Sequence, residues 1–221
     1  MIKAIAFDVF GTLVEIGAPR RPFRELVRLL AAAGRVPQRG DGALIMSRDV
    51  DLAQAARLLG GIISDQDLAR LESALQEELA SIRLFPDAVD TLNALRESGY
   101  RIALCSNLAA PYGPPVSALL PFAPDFCAWS YTAGAVKPAP EIYQHLCTGL
   151  DCQPGEVLMV GDTVDADHSG PRCFGIAGFH LARKGRSPVP QAESVASLAD
   201  LIPLLARHRM DAAVRPDAPG R

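Results

Sequence analysis

The stretch Ile5-Ala6-Phe7-Asp8-Val9-Phe10-Gly11-Thr12-Leu13-Val14 runs apolar into a single acid and then into a Gly-Thr turn. An apolar run bounded by turn chemistry reads as a buried strand. Asp8 then sits at the strand's C-terminal tip, where open α/β sheets build their sites. An acid in that position also serves as a plain turn cap, because Asp hydrogen-bonds readily to its own backbone. Residues far along the chain decide between the two readings.

Working outward, residues 19–83 read as helix with breaks. Phe23, Leu26, Val27, Leu29 and Leu30 repeat at helical spacing until Gly34 and Pro37. Arg39 to Gly42 reads as a loop. Val50 to Leu59 and Leu68 to Ile82 read as two further amphipathic helices, the second after a Ser64-Asp65 N-cap. With no strand in it, this segment is a helical insertion after the first strand. From Pro86 strands and helices alternate: helix Asp87 to Ser98, strand Tyr100 to Cys105, strand Phe126 to Ser130, helix Pro140 to Leu150. Strand Val157 to Val160, strand Ile176 to His180 and helix Val195 to Arg207 complete the series. Residues 210–221 carry no periodicity and read as a frayed, disordered tail. Such alternation implies an α/β fold with a mostly parallel sheet and right-handed crossovers.

Composition narrows the field. The 221 residues suit one large domain or a core with a small insert. A net charge of -3 gives no electrostatic reason to expect nucleic acid. No apolar run nears the roughly 20 residues that span a bilayer, and the N-terminal stretch reads as a strand rather than a signal peptide. The five cysteines, odd in number and without a CxxC pair, read as reduced thiols and point to the cytoplasm.

Polar residues recur at the ends of the expected strands: Asp8, Ser106-Asn107 and Asp162. Tips of parallel strands share one sheet edge, so these groups can converge. Two carboxylates brought together repel unless a cation or proton lies between them, and Mg²⁺ suits one or two carboxylates completed by water and phosphate. Asp167 could orient an outer-shell group, while Asp165 reads as a helix-start acid facing elsewhere. A loop that caps the following helix is the plainer reading of the Asp162 cluster. Lys137 is one of three lysines. It is either a solvated loop residue or a cation steadying the nucleophile and developing negative charge. Ser106 and Asn107 can offer donors to an anion, or form an ordinary turn.

In order and spacing, Asp8-Val-Phe-Gly-Thr-Leu, Ser106-Asn107, Lys137-Pro and Gly161-Asp162-x4-Asp167 resemble the four motifs of the haloacid dehalogenase-like hydrolase superfamily. The resemblance covers roughly residues 3–14 and 84–185, and the helical insertion matches the family's small cap in position and helical character. It implies a Rossmann-like three-layer core over 1–16 and 84–209 with a cap over 17–83. Asp8 resembles the nucleophile, Thr12 and Ser106 the groups that hold the substrate's phosphate or carboxylate, with Asn107 beside them. Lys137 resembles the charge-balancing lysine. Asp8, Asp162 and the backbone carbonyl of Phe10 resemble the Mg²⁺ ligands of the phosphatase branch, with Asp167 in the outer shell.

The side chain of Phe10 departs from that branch, which usually has a second aspartate there as acid and base. Such help is typically worth ~10²–10⁴-fold, so a phosphatase built this way is expected to be slow unless another group, such as His168 or Asp165, substitutes. An aromatic there resembles instead the 2-haloacid dehalogenases, whose leaving halide needs no proton and no metal. Ser106-Asn107 and Tyr143 agree with that branch. Gly161-Asp162-Thr163 does not, and the cap arginine of that branch has only candidates here: Arg20, Arg24, Arg28, Arg39 and Arg48. Residues 15–85 hold no lysine, which sets aside the phosphonatases with their Schiff base. The expectation is a Mg²⁺-dependent phosphatase of a small phosphorylated metabolite, a monomer or homodimer that binds a small anionic substrate and neither nucleic acid nor membrane. A metal-independent 2-haloacid dehalogenase is the runner-up, and a phosphate-binding member without efficient turnover is the third reading.

Overall fold

The computed structural model describes residues 1–214, with side chains through residue 207. Strand β1 (Ala4–Phe7) is buried along its whole length. The chain then turns at Gly11 and continues as β2 (Val14–Ile16). Helices α1 (Pro22–Ala32), α2 (Asp41–Met46), α3 (Leu52–Leu58) and α4 (Asp65–Ala80) follow, and β3 (Ile82–Leu84) returns antiparallel to β2. Next come α5 (Ala88–Glu97), β4 (Arg101–Ser106), α6 (Gly113–Leu119), β5 (Phe126–Trp129), α7 (Ser130–Ala133) and α8 (Pro140–Leu150). Strand β6 (Val157–Gly161) leads into a π-helical turn (Val164–Ser169), α9 (Gly170–Phe174), β7 (Ala177–Leu181), β8 (Ser194–Val195) and α10 (Leu201–Val214).

Six strands form one sheet in the order β5-β4-β1-β6-β7-β8, and every neighbouring pair is parallel. This is the expected Rossmann-like α/β fold. Alternation along β1 sorts the two faces of the sheet. Ile5 and Phe7 join Leu92 and Leu95 of α5 in one apolar cluster. Ala4 and Ala6 join Ile142, Tyr143 and Leu146 of α8 in the other. Small residues on that second face (Ala103, Ala128 and Cys105 beside the two alanines) let α8 lie close to the sheet. Burying each large side chain stabilises the fold by about 1.5–3 kcal/mol.

Four points differ from the sequence reading. The segment expected to lack strands is bounded by β3, which pairs with β2 through Val14↔Leu84, Glu15↔Arg83 and Ile16↔Ile82. Strands of three residues are too short to show a period of two. Helix α2 begins at Asp41, inside the expected loop, where Arg35 holds the Asp41 carboxylate by two bonds of 2.5 and 2.6 Å. Helix α6 was hidden by Gly113-Pro114-Pro115, although proline is tolerated in a first turn where no intrahelical N–H bond is lost. Val195 lies in β8 rather than in the last helix, and that helix runs past Arg207 to Val214. The disordered tail expected over 210–221 lies, from residue 215 onward, outside the described residues. Among the described residues no helix is long and apolar enough to cross a membrane. All five cysteines are free; Cys105, Cys147 and Cys152 are buried and Cys173 is exposed.

Candidate active site

Strands β4, β1 and β6 are neighbours, and their register sets Phe7 level with Leu104 and Val160. Asp8, one residue on, therefore leaves the sheet edge between Ser106 and Asp162. Its N–H still donates to the Val160 carbonyl at 2.9 Å, which fixes the backbone from which the carboxylate projects.

The two oxygens of Asp8 differ. Oδ1 accepts from Ser106 Oγ at 2.9 Å and from Lys137 Nζ at 2.8 Å. Among the described residues nothing hydrogen-bonds Oδ2. Lys137 is almost fully buried and also donates to Asp167 Oδ1 at 2.6 Å and to the Cys105 carbonyl at 2.7 Å. All three ammonium protons thus have acceptors. Burial works against the lysine's charge, but Asp8 and Asp167 outweigh it and hold the group above its ordinary range. The plain reading of Lys137 as a solvated loop residue falls with this geometry.

Asp167 is fully buried within the π-helical turn and also accepts from Thr163 N at 2.9 Å. Burial raises its pKa; Lys137 pulls it back and the charge of Asp8 adds to the rise, leaving a net upward shift. Asp162 is exposed at the rim, but the protein crowds one side of its carboxylate, and that partial burial together with the Asp8 charge raises it too. Asp8, Asp162 and Asp167 each offer an oxygen within 4.8 Å of the others. Gly11 makes this approach feasible: its φ is +87°, and a Cβ there would sit 2.2 Å from Asp162 Oδ2.

The remaining predicted residues divide. Thr12 is fully buried, and its Oγ1 has no hydrogen-bond partner among the described residues. Buried hydroxyls are rarely left unpaired, so this one is poised for a ligand oxygen. Asn107, expected to touch substrate, uses its amide otherwise. Nδ2 donates to the Lys137 carbonyl at 2.9 Å and Oδ1 accepts from Lys137 N at 2.7 Å, so the side chain clamps the lysine. The Tyr143 hydroxyl donates to the Ala166 carbonyl at 2.7 Å and braces the turn that carries Asp167. Asp165 is exposed, as expected of an acid facing elsewhere. His168 lies 2.9 Å from Glu193 Oε2, engaged away from Asp8.

Three residues escaped the sequence reading. His180 Nε2 lies 3.1 Å from the Asp162 carbonyl and its Nδ1 2.8 Å from Ser187 Oγ, so the ring bridges the Asp162 loop to the segment after β7. The register pairs His180 with Gly161, so the strand-tip rule that found Asp162 extends to it. Arg183 donates to both oxygens of Asp87 at 2.9 and 3.0 Å and to the Thr12 carbonyl at 2.6 Å, with its guanidinium 4.0 Å from the Phe85 ring centroid. Glu78, buried on α4, accepts from Tyr112 Oη at 2.6 Å and from the N–H groups of Arg20 and Arg21. The last bond holds Arg21 in a left-handed conformation, φ 55°, that costs a non-glycine residue about 1–2 kcal/mol. Tyr112 in turn meets the Phe10 ring edge-on at 5.7 Å.

The residues fit a divalent cation by their donors: three carboxylates converge on a spot where a single lysine supplies the positive charge. Such hard oxygen ligands suit Mg²⁺.

Known proteins resemble this chain. Over 158 residues the chain is 31% identical to an (S)-2-haloacid dehalogenase of Burkholderia cepacia, a match covering 67% of this chain and 66% of that protein. Over 184 residues it is 30% identical to a phosphoglycolate phosphatase of Haemophilus influenzae, covering 73% of this chain and 77% of the relative. The crystal structure of a dehalogenase superposes with a TM-score of 0.64 at 25% identity, covering 93% of this chain and 97% of the other. The sequence profile of the haloacid dehalogenase-like hydrolases matches residues 2–175, and the chain belongs to that family.

Proposed function

We propose that this hydrolase is a Mg²⁺-dependent phosphatase of a phosphorylated metabolite, with Asp8 as nucleophile. The observation that carries the reading is the cluster of Asp8, Asp162 and Asp167 about one lysine. A fixed Oδ1 beside an unengaged Oδ2 supports it. In this reading Oδ2 attacks phosphorus, the Oδ2–P bond forms, and the ester P–O bond breaks. The departing alkoxide takes its proton from water, because the phenyl ring of Phe10 has none to give. Water then attacks phosphorus, the Oδ2–P bond breaks, phosphate leaves and a proton passes to solvent. Thr12 Oγ1 holds a phosphoryl oxygen, Ser106 Oγ does so once its proton turns from Asp8 Oδ1, and Lys137 offsets the charge that gathers around Asp8. Asp8, Asp162 and the Phe10 carbonyl, with Asp167 behind them, would hold Mg²⁺, which would supply charge neutralisation at the phosphoryl group. Helices α1 to α4 act as a cap that closes over the strand tips and excludes water.

Phe10 favours a second reading. Its ring packs on Tyr112, which suits displacement of halide from a 2-haloacid, where the leaving group needs no proton. The deciding experiment is a hydrolysis screen of phosphate esters and 2-haloacids, each with Mg²⁺ and with EDTA. Phosphate release that needs Mg²⁺ and vanishes in Asp8→Asn is expected. Halide release undiminished by EDTA would replace the phosphatase with the dehalogenase. Binding of inorganic phosphate with no turnover on either panel would leave a phosphate-binding protein.

A further inference from the structure

Between α1, α2 and the turn at Ala110–Tyr112 lies a cavity of about 440 Å³. Tyr112 lines it, and the same ring meets that of Phe10, two residues after Asp8. Phe23 and Val27 of α1, Ile45 and Met46 of α2, and Ala109 and Tyr112 make its walls apolar. Gln38, Asp41, Gly42 and two exposed arginines, Arg21 and Arg24, complete the lining, and among the described residues neither arginine has a carboxylate partner. Their neighbours differ: Arg20, Arg28, Arg35 and Arg70 each lie within 3.6 Å of an acid. The one acid in the wall, Asp41, is held by Arg35 and by the Gln38 N–H. Glu78 sets the walls in advance, since its carboxylate binds both the Tyr112 hydroxyl and the Arg21 N–H.

A cavity of this size falls in the range that encloses a small organic ligand, and a short acid such as glycolate fills little of it. Apolar walls beside two unpaired guanidinium groups call for an amphiphile. We propose that this cavity is the specificity site and binds the apolar body of the substrate, with Arg21 and Arg24 receiving a carboxylate on that body. Resting on the reading of Asp8 as nucleophile, this makes the substrate class an organic anion with an apolar substituent of about four or more carbons.

Calorimetry on the whole protein with Mg²⁺ tests this, using methyl-, butyl- and hexylphosphonate and the matching series acetate, butyrate and hexanoate. Affinity should rise about 4-fold per added methylene until the cavity is filled. Gly42→Phe places a ring where a Cβ meets nothing within 4 Å and should abolish the dependence on chain length. Val27→Trp should do the same from the facing wall. Arg24→Gln should weaken phosphonohexanoate about 10-fold while hexylphosphonate binds as before. Equal affinities along both series in the native protein would overturn the proposal, as would a slope that survives both cavity-filling variants. A slope among carboxylates with no phosphonate binding would keep the cavity's role and remove the phosphatase reading instead.

Discussion

Replacing Lys137 with methionine tests the electrostatics of the site most directly. Its ammonium lies 2.8 Å from Asp8 and 2.6 Å from Asp167. At an effective dielectric near 20 each pair is worth about 6 kcal/mol of Coulomb attraction, against several kcal/mol for removing the ammonium from water. The substitution keeps the volume and deletes the charge. It leaves two buried carboxylates with oxygens within 4.8 Å of one another, a repulsion of about 3–4 kcal/mol at the same dielectric. Breaking a buried pair typically costs about 3–5 kcal/mol, a large share of the ~5–15 kcal/mol that holds a domain folded. The loss should depend on pH. Asp167 is already raised by burial, and losing Lys137 raises it further. An acid whose folded pKa lies above its unfolded value adds stability while protonated and loses it as pH climbs through the folded pKa. The gap between native protein and variant should therefore be widest near pH 8.5 and narrow toward about pH 5, by up to ~1.4 kcal/mol per unit. Urea unfolding in EDTA, followed by circular dichroism at about pH 5, 7 and 8.5, reads it out. Lys137→Met/Asp167→Asn should regain about 2 kcal/mol without regaining turnover. A loss below ~1 kcal/mol, or one constant across pH, would refute the assignment of Lys137 as counter-charge to both acids.

Other expectations follow from single contacts. Gly11→Ala sets a Cβ 2.2 Å from Asp162 Oδ2 at a positive φ, so calorimetric Mg²⁺ affinity should fall at least about 10-fold with a stability loss of about 1–2 kcal/mol. Phe10→Asp should raise phosphate-ester turnover by up to ~10²-fold if proton transfer to the leaving group limits the rate, and an unchanged kcat would place the limit elsewhere. Arg183→Met severs bonds to Asp87 and Thr12 and should cost about 2–3 kcal/mol in chemical denaturation. Burial pushes Asp87 upward, yet hydrogen bonds from Arg183 and Leu198 outweigh it and hold it below its usual range. Its contribution is thus complete above the unfolded carboxylate pKa near ~4 and lost as pH falls through the folded value, so the Tm gap to Asp87→Asn should close on acidification.

The sheet was legible because each of its longer strands is an apolar run ending in turn residues, and helix α8 because Pro140 starts its periodicity and Asp151 ends it. Asp8, Ser106 and Asp162 were legible for a related reason: parallel register turns strand tips, far apart in sequence, into neighbours. What failed to show was set by partners rather than by local pattern. Asn107 looks like a ligand donor in sequence, and only the reciprocal pair with the Lys137 backbone reveals a clamp. Glu78 is one acid among several on α4, and nothing local says that it is buried against Tyr112. Arg183 lies beyond the last site strand, in a segment without period, yet its guanidinium ties Thr12 to Asp87 across the fold.

Charge at the strand tips constrains what the site can do. Three carboxylates face one ammonium, so with every acid ionised the cluster carries two uncompensated negative charges. A divalent cation cancels that surplus, and protons on two of the acids cancel it equally. Burial and the neighbouring Asp8 charge push both Asp162 and Asp167 upward, the direction that crowding by like charge imposes. The two remedies differ in what they leave for a substrate. Without a cation, an incoming phosphate dianion would meet the acid cluster with only Lys137 to offset it, whereas a haloacid brings a single charge carried by its carboxylate. A cation held there would place positive charge beside Asp8 for the phosphoryl group. Which substrate class the site favours would then follow from whether a proton or a metal occupies the space between residues 8 and 162, beside the one exposed acid of the three.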